Sequence, residues 1–349
     1  MPQRAGAWRL KILIIKTSAL GDIMQCLFVI DYLKTKFPSA SVDWMVEERF
    51  SDLCLSCPGI DEVIVVNTKK IVKGGFGFVA QTIHRLKKLR YDLVIDLQGN
   101  IKSGLLMAPV RAKEKVGFSL TTAPEWIGAL FAKHRYRVDP KGPIQFQYLS
   151  LLEQHFKDNT AYRMPKIELK LSAKDHQRLE ALSGAFMIPY NTIMVCFGSN
   201  WENKKLSKGQ IVALLKSIEG PCFLFIYSGE KEKVFAEELS KVFKGSLVLG
   251  DLSIPLWQYM MLKTKGVICM DSAALHLAAL SKVKSFAFFG PSSSLVYNPR
   301  EKMHHAYQGR CPYEVKFSKR CGQLRTCKTG ACLKSLDLEA AAAQLKKWL

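Results

Sequence analysis

The chain has no run of about 18 or more uncharged apolar residues, which argues against a membrane-spanning helix. No secretory leader is expected either. Arg4 and Arg9 precede the apolar run Leu10 to Ile15, but Lys11 and Lys16 interrupt it, and the Thr-Ser-Ala-Leu-Gly-Asp that follows reads as a strand-to-loop exit. No Gly-x-Gly-x-x-Gly and no Gly-Lys-Ser follows a strand, so dinucleotide-cofactor and P-loop classes are set aside. Low-complexity stretches are missing, and acids are scarce: 30 Asp and Glu stand against 51 Lys and Arg, a net charge of +21. That surplus calls for an acidic partner, whether nucleic acid, an anionic membrane face or a phosphorylated small molecule. The basic residues are spread out, with small groups at Lys69, Lys70 and Lys73 and at Arg85, Lys87, Lys88 and Arg90, and there is no dense basic tail. Most aromatics fall in strand and helix patterns rather than among these bases, which argues against nucleic acid.

What is present is a repeated β-α-β rhythm. Of 349 residues, 48% are hydrophobic and 23% charged, the proportions of a folded protein long enough for two domains. Short β-branched runs (10–16, 41–47, 62–67, 91–98) alternate with helical patterns at 23–37 and 76–90. The second half repeats the scheme with strands predicted at 192–197, 222–227, 246–250, 266–270 and 285–289. Helices are predicted at 208–218, 230–243, 255–263 and 273–280. Continuous apolar strands separated by helices predict parallel sheets covered on both faces, hence an α/β protein of two Rossmann-like domains. The boundary is placed near residue 170, giving domains 1–170 and 171–349, inside a mixed stretch 140–191 with one helical pattern at 174–182. A final helix over 336–349 is expected to cross back to the first domain.

Ligands of such sheets bind beyond the carboxyl ends of strands, where helix N-termini offer free N–H groups and partial positive charge. The best candidate is Val267-Ile-Cys-Met-Asp-Ser-Ala-Ala-Leu-His276. Its Asp271 and Ser272, followed by Ala273 and Ala274, would let a diphosphate approach the backbone; the same residues also suit an ordinary helix cap with His276 packed one turn in. The next strand ends in Phe289-Gly-Pro-Ser-Ser-Ser294, a second small, hydroxylated turn that would lie beside the first. In Lys16-Thr-Ser-Ala-Leu-Gly-Asp22 the carboxylate either caps a helix beginning at Ile23 or takes the proton of an attacking hydroxyl. A third loop, Phe197-Gly-Ser-Asn-Trp-Glu-Asn-Lys-Lys-Leu206, ends in two lysines. Lys204 or Lys205 would stabilise a departing diphosphate without a metal, because no Asp-x-Asp signature accompanies these turns.

Five segments in this order, 15–22, 42–48, 94–103, 270–276 and 289–291, resemble the lipopolysaccharide heptosyltransferases of glycosyltransferase family 9 over nearly the whole chain. The resemblance implies a GT-B fold, in which two Rossmann-like domains face across a cleft. It implies an ADP-heptose donor bound by the second domain, and inverting transfer without metal or other cofactor to a sugar of a phosphorylated lipid-linked acceptor of the inner-core, Kdo-lipid A type. Asp22 is then the general base. Ser199, Lys204, Glu232, Leu252, Asp271, Ser272, Ala273, Ala274 and His276 bind the donor, with Leu252 flanking the adenine. Lys69, Lys70, Lys73, Gln98 and Lys102 meet the acceptor. A cytoplasmic enzyme, peripheral on the anionic face of the inner membrane, is the expected setting, with no nucleic-acid partner.

There are departures. Ser272-Ala273 replaces the family's Thr-Gly, Gln25 stands for a His, and Pro124 falls where an acceptor-side Arg is expected; Lys113, Lys115, Lys133 or Arg135 would have to substitute. Ten cysteines are present, six of them (Cys26, Cys54, Cys57, Cys196, Cys222, Cys269) in apolar segments and read as buried small hydrophobes. Cys311, Cys321, Cys327 and Cys332 crowd a basic region at spacings wider than a Cys-x-x-Cys ribbon. They are read as reduced structural thiols, although autotransporter heptosyltransferases resemble them in carrying an iron-binding cysteine motif. A GT-B transferase or epimerase for another sugar nucleotide, or a protein heptosyltransferase, is the alternative.

Overall fold

The computed structural model describes residues 9–349 apart from 74, 184–186 and 200 and the side chains at 71–73, 76 and 183. The chain divides into two compact units, the first running to Pro140 and including Gln145–Ile167, the second made of Lys141–Ile144 and Glu168–Leu349.

In the first unit, β1 (Lys11–Ile15), β2 (Ser41–Glu47), β3 (Val63–Val66), β4 (Arg90–Asp96), β5 (Arg111–Phe118) and β6 (His134–Tyr136) form one sheet in the order β3-β2-β1-β4-β5-β6. In the second, β7 (Ile193–Cys196), β8 (Phe223–Tyr227), β9 (Leu247–Gly250), β10 (Gly266–Met270), β11 (Ser285–Phe289) and β12 (His304–Gln308) are ordered β12-β11-β10-β7-β8-β9. Every named pairing is parallel. Packing on both faces buries β10 and β11 completely, which is why they read as nearly unbroken apolar runs. Three strands escape prediction, β5, β6 and β12, because they carry exposed or half-exposed charged and polar residues such as Arg111, Lys113 and His305.

Each sheet reverses its winding once, between β1 and β4 and between β7 and β10. The chain leaves the two strands of such a pair in opposite directions, so their carboxyl ends open a crevice between diverging connections. Those two places locate the sites described below.

Three sequence expectations need correction. The helix expected over 23–37 is two helices, Leu20–Met24 and Phe28–Lys36, because Cys26 and Leu27 make tighter i→i−3 bonds to Ile23 and Met24 (3.0 and 3.4 Å). The stretch 140–191 holds an additional helix, Ile144–Phe156, with Tyr148, Leu149, Leu151 and Leu152 buried. The last helix, Leu338–Trp348, belongs to the second unit: Ala341, Leu345 and Trp348 fill its core with Val195, Phe225, Met270 and Phe288. Gly266 makes room for it, since a Cβ there would lie 2.9 Å from the Trp348 ring.

Candidate functional site

The second unit's crevice is built around a buried ion pair. Strand β10 ends at Met270, and the helix Ala273–Ser281 follows two residues later with Ser272 at its N-cap in extended backbone (φ −149°). The Ser272 hydroxyl makes no capping bond, so the helix presents its first N–H groups uncapped. The Asp271 carboxylate does not cap the helix either. Its Oδ2 accepts from Lys204 Nζ at 2.5 Å and from the Ser292 hydroxyl. Burial would raise the Asp271 carboxyl, but Lys204, Ser292 and the neighbouring His276 outweigh it and hold it below the usual carboxylate range. Lys204 comes from the loop after β7 and Ser292 from the turn after β11; with β10 between those strands, the order of the sheet converges all three. Both partners of the pair are largely buried, at 12% and 9% side-chain exposure. An ammonium carries three hydrogens and Asp271 takes one, so the lysine is oriented rather than consumed.

On the other side of β7, Glu232 sits in the first turn of the helix Glu230–Val242 and accepts from Ser228 N at 2.9 Å. Gly198 leaves room for it: a Cβ at 198 would stand 2.6 Å from the carboxylate and displace it. Ser199 is half-buried and its hydroxyl accepts from Trp201 N at 3.3 Å. Leu252, also half-buried, follows Asp251, whose positive φ of 51° turns the chain out of β9 and whose carboxylate accepts from Gly229 N at 3.0 Å. A cavity of about 350 Å³ lies against Glu232, lined by Phe197, Phe225, Phe235 and Leu239 and by Lys205, Lys208 and Lys231. All nine donor-side residues read from the sequence therefore lie at the carboxyl edge of one sheet. They fall into a group after β10, joined there by Lys204 from the loop after β7, and a mixed group of Ser199, Glu232 and Leu252 after β7, β8 and β9.

In the first unit, Asp22 lies three residues inside the helix Leu20–Met24, not at a cap before Ile23. The helix starts earlier, with Ala19 at its N-cap, and Asp22 Oδ2 accepts from Ala19 N at 3.3 Å. Across the β1/β4 crevice, Gln98 Oε1 accepts from Ser18 N at 3.1 Å, which ties the two diverging loops together. Asp96, at the end of β4, is buried and accepts from Gln98 N, Gly99 N and the Ser103 hydroxyl; burial outweighs these bonds and raises its carboxyl. Lys16, directly after β1, has no role of its own in the sequence expectations. Its ammonium is buried, donating to Leu97 O at 3.1 Å and the Tyr148 hydroxyl at 3.0 Å. A lysine directly after an apolar strand is the sequence signal that could single it out.

Lys102 is exposed on the helix Ile101–Met107. Lys69 and Lys70 are exposed on the helix Thr68–Lys73, with Lys70 3.6 Å from Glu48, and the Lys73 side chain lies outside the described residues. Of the bases offered as substitutes for an acceptor arginine, two are occupied by local structure. Lys115 Nζ donates to Met107 O and Ala108 O, and Arg135 donates to Ala129 O, Leu130 O and Ala132 O, each closing a helix end. Lys113 pairs with Asp92 at 2.9 Å, and Lys133 is exposed. Pro124 packs against Gly99, whose positive φ of 67° leaves no room for a side chain.

Five of the six cysteines in apolar segments are buried; Cys222 is half-buried, its thiol donating to Gly245 O at 3.0 Å. All ten cysteines are free thiols, and among the described residues no group of three or more His, Cys, Asp or Glu converges as a metal site. Among them too, no helix is long and apolar enough to cross a membrane.

Residues 79–324 match the profile of glycosyltransferase family 9 (heptosyltransferase). Lipopolysaccharide heptosyltransferase 1 of Campylobacter coli is 27% identical over 301 residues, covering 82% of this chain and 85% of the relative. The solved structure of E. coli heptosyltransferase WaaC with ADP is similar at a TM-score of 0.72 and 19% identity, covering 97% of this chain and all of the other. The same enzyme with ADP-2-deoxy-2-fluoro heptose gives 0.69 and 20%, over 86% and 94% of the two chains. With two α/β units, each on one parallel six-stranded sheet, the fold is GT-B, and the chain belongs to glycosyltransferase family 9, the heptosyltransferases, as a glycosyltransferase enzyme.

Proposed function

We propose that this enzyme transfers heptose from ADP-heptose to a sugar of a phosphorylated lipid-linked acceptor of the lipopolysaccharide inner core. The observation that carries the donor side is the Lys204–Asp271–Ser292 cluster beside the uncapped helix at Ser272. A diphosphate at this switch point would receive the remaining hydrogens of Lys204 and the Ala273 and Ala274 amides. Asp271, itself anionic, serves by orienting Lys204 and Ser292, and His276 adds to the local field. Glu232 and Ser199 take hydroxyls of ribose or heptose, and Leu252 lies along the adenine. This reading is supported by family membership and by relatives named for lipopolysaccharide heptosyl transfer.

In the reaction, the acceptor oxygen forms a bond to the anomeric carbon as the bond from that carbon to the diphosphate oxygen breaks, and the configuration inverts. Asp22 takes the acceptor proton, and Lys204 with the helix N-terminus stabilises the departing ADP. Lys69, Lys70, Lys73, Gln98 and Lys102 serve the acceptor. An anionic membrane face is the proposed setting. The helices Ile101–Met107 and Trp126–Ala129, packed at Gly104 and Gly128, present exposed Leu105, Trp126, Ile127 and Leu130 beside exposed Lys102 and Lys133, a mixture suited to a lipid interface.

The test is to incubate the enzyme with ADP-heptose and a set of truncated lipopolysaccharide cores and to weigh the products, with UDP- and GDP-hexoses as competing donors. A mass increase of one heptose on a core is expected; transfer only from another donor overturns the reading. Asp22→Ala is expected to abolish transfer while leaving ADP binding nearly intact, and equal loss of both would remove the base assignment.

A further inference from the structure

The segment 319–335 contains three of the four clustered cysteines and is used by nothing described so far; its second part lies beyond residue 324, where the family match ends. It nonetheless touches both groups that hold Asp271. On one side it forms an antiparallel bridge with the turn carrying Ser292: Ser293 N donates to Lys319 O at 2.9 Å and Cys321 N to Pro291 O at 2.8 Å. On the other side it grips the short 3-10 turn Glu202–Lys204. Asn203 is buried, and its Nδ2 donates to Leu324 O at 2.6 Å and reaches Cys327 O at 3.5 Å. Its Oδ1 has no partner among the described residues, so the amide nitrogen alone anchors this side chain. Gly330, in the left-handed region at φ 59°, lies so close that a Cβ there would be 3.0 Å from Asn203 Cα. The far end is tied down as well. Gln210 Nε2 donates to Leu333 O and Lys334 O at 2.8 and 3.1 Å, and Cys332 and Leu333 pack on Gly290.

We infer that residues 319–335 form a strap that sets the phosphate-facing position of Lys204, with Asn203 as the positioning residue through which it acts. The inference rests on the reading of Lys204 as a donor-diphosphate ligand. Lys204 follows Asn203 directly, and an ammonium on a four-carbon stem has many rotamers. Fixing the backbone of the preceding residue from one side while Asp271 fixes the ammonium from the other leaves the lysine few of them. Binding the diphosphate then costs little further ordering.

The experiment compares ADP with adenosine, which lacks the diphosphate, by calorimetry on the full chain. Asn203→Ala removes the strap's anchor from one side, and Gly330→Ala presses on the same contact from the other, so either folded variant suffices. Each is expected to weaken ADP by about threefold to tenfold, the worth of one buried hydrogen bond, and to leave adenosine within about twofold. In turnover kcat/KM for the donor falls at least as far as the ADP affinity, because Lys204 also meets the charge of the departing diphosphate. Unchanged ADP affinity overturns the inference, and so does a parallel loss of adenosine, which would make Asn203 merely structural. Lys204→Ala separates the underlying reading: if it binds ADP as well as the parent, the diphosphate assignment fails, whatever Asn203 does.

Discussion

Removing Lys204 should damage the fold and the site by two mechanisms that a second substitution separates. The ammonium lies 2.5 Å from Asp271 Oδ2, with both side chains at 12% exposure or less. Lys204→Ala therefore leaves a buried carboxylate supported by Ser292 and the neighbouring His276 but without its ion-pair partner. Breaking a buried pair from one side costs about 3–5 kcal/mol, whereas removing both charges together is often near neutral. At about 2–4 °C per kcal/mol for a domain of roughly 150–250 residues, Lys204→Ala should lower the melting point of the second unit by roughly 6–20 °C. Lys204→Ala combined with Asp271→Asn should recover most of that, since the amide still accepts from Ser292.

The pH dependence fixes the sign. Because the Asp271 carboxyl is held below its ordinary value, the pair's contribution is complete above the unfolded carboxyl's pKa of about 3.9 and is lost as pH falls through the lower folded value. In Lys204→Ala the burial that raises the carboxyl loses its main opponent. The single variant's deficit should accordingly narrow as pH drops below about 5, while the double variant shows no such narrowing. Differential scanning calorimetry between pH 4 and 8 measures both. A single variant as stable as the double, or a deficit independent of pH, would refute the buried ion pair. ADP titration supplies the functional half: both variants should lose affinity, and a double variant that binds ADP like the parent would show that Lys204 serves stability alone.

Other consequences are narrower. Gly198→Ala places a Cβ 2.6 Å from the Glu232 carboxylate, which must swing away and release Ser228 N; ADP-heptose affinity should fall about threefold to tenfold with little change in melting point. Unchanged affinity would mean that Glu232 does not contact the donor. The Thr329 hydroxyl and the Gly330 amide lower the Cys327 thiol, while burial pushes Cys332 up to about 11. Iodoacetamide at pH 7.5 should thus alkylate Cys327 well before Cys332 by peptide mapping, and equal rates would contradict the local geometry. Lys16→Met removes the ammonium's hydrogen bonds to Leu97 O and the Tyr148 hydroxyl and should cost about 1–3 kcal/mol in denaturant unfolding, with an unaltered midpoint as the contrary result.

The sequence displayed the interior of both sheets because a strand covered on two faces must be apolar throughout, as β10 and β11 are. It concealed β5, β6 and β12, whose Arg111, Lys113 and His305 face water and break any hydrophobic run. Strand ends and small residues located the Asp271 turn, and strand order was not needed to suspect it. Partnership was harder to see. Asp271 reads as a helix cap when only its neighbours in the chain are considered; its actual partners are 67 and 21 residues away, at Lys204 and Ser292. Only the placement of β10 between β7 and β11 unites them. Asn203 gave no signal at all, since its role depends on a segment 121 residues later in the chain.

The two sheets wind identically, yet their crevices are suited to different ligands, and charge explains why. Each has a lysine after its first strand and a buried aspartate at the strand across the reversal: Lys16 with Asp96, Lys204 with Asp271. In the first unit Lys16 is buried against neutral acceptors, Leu97 O and Tyr148, and burial raises the Asp96 carboxyl despite it. In the second unit Lys204 pairs directly with Asp271, whose carboxyl is lowered, and the residue after Asp271 begins an uncapped helix. A cation already charge-paired and oriented gains a diphosphate by adding hydrogen bonds. Lys16, already donating to Leu97 O and the Tyr148 hydroxyl, would have to give up one of these acceptors. The proposed diphosphate site is therefore better served by the β7/β10 crevice than by the β1/β4 crevice. Under the same proposal the β1/β4 crevice serves the acceptor, beside Asp22 as the proposed base.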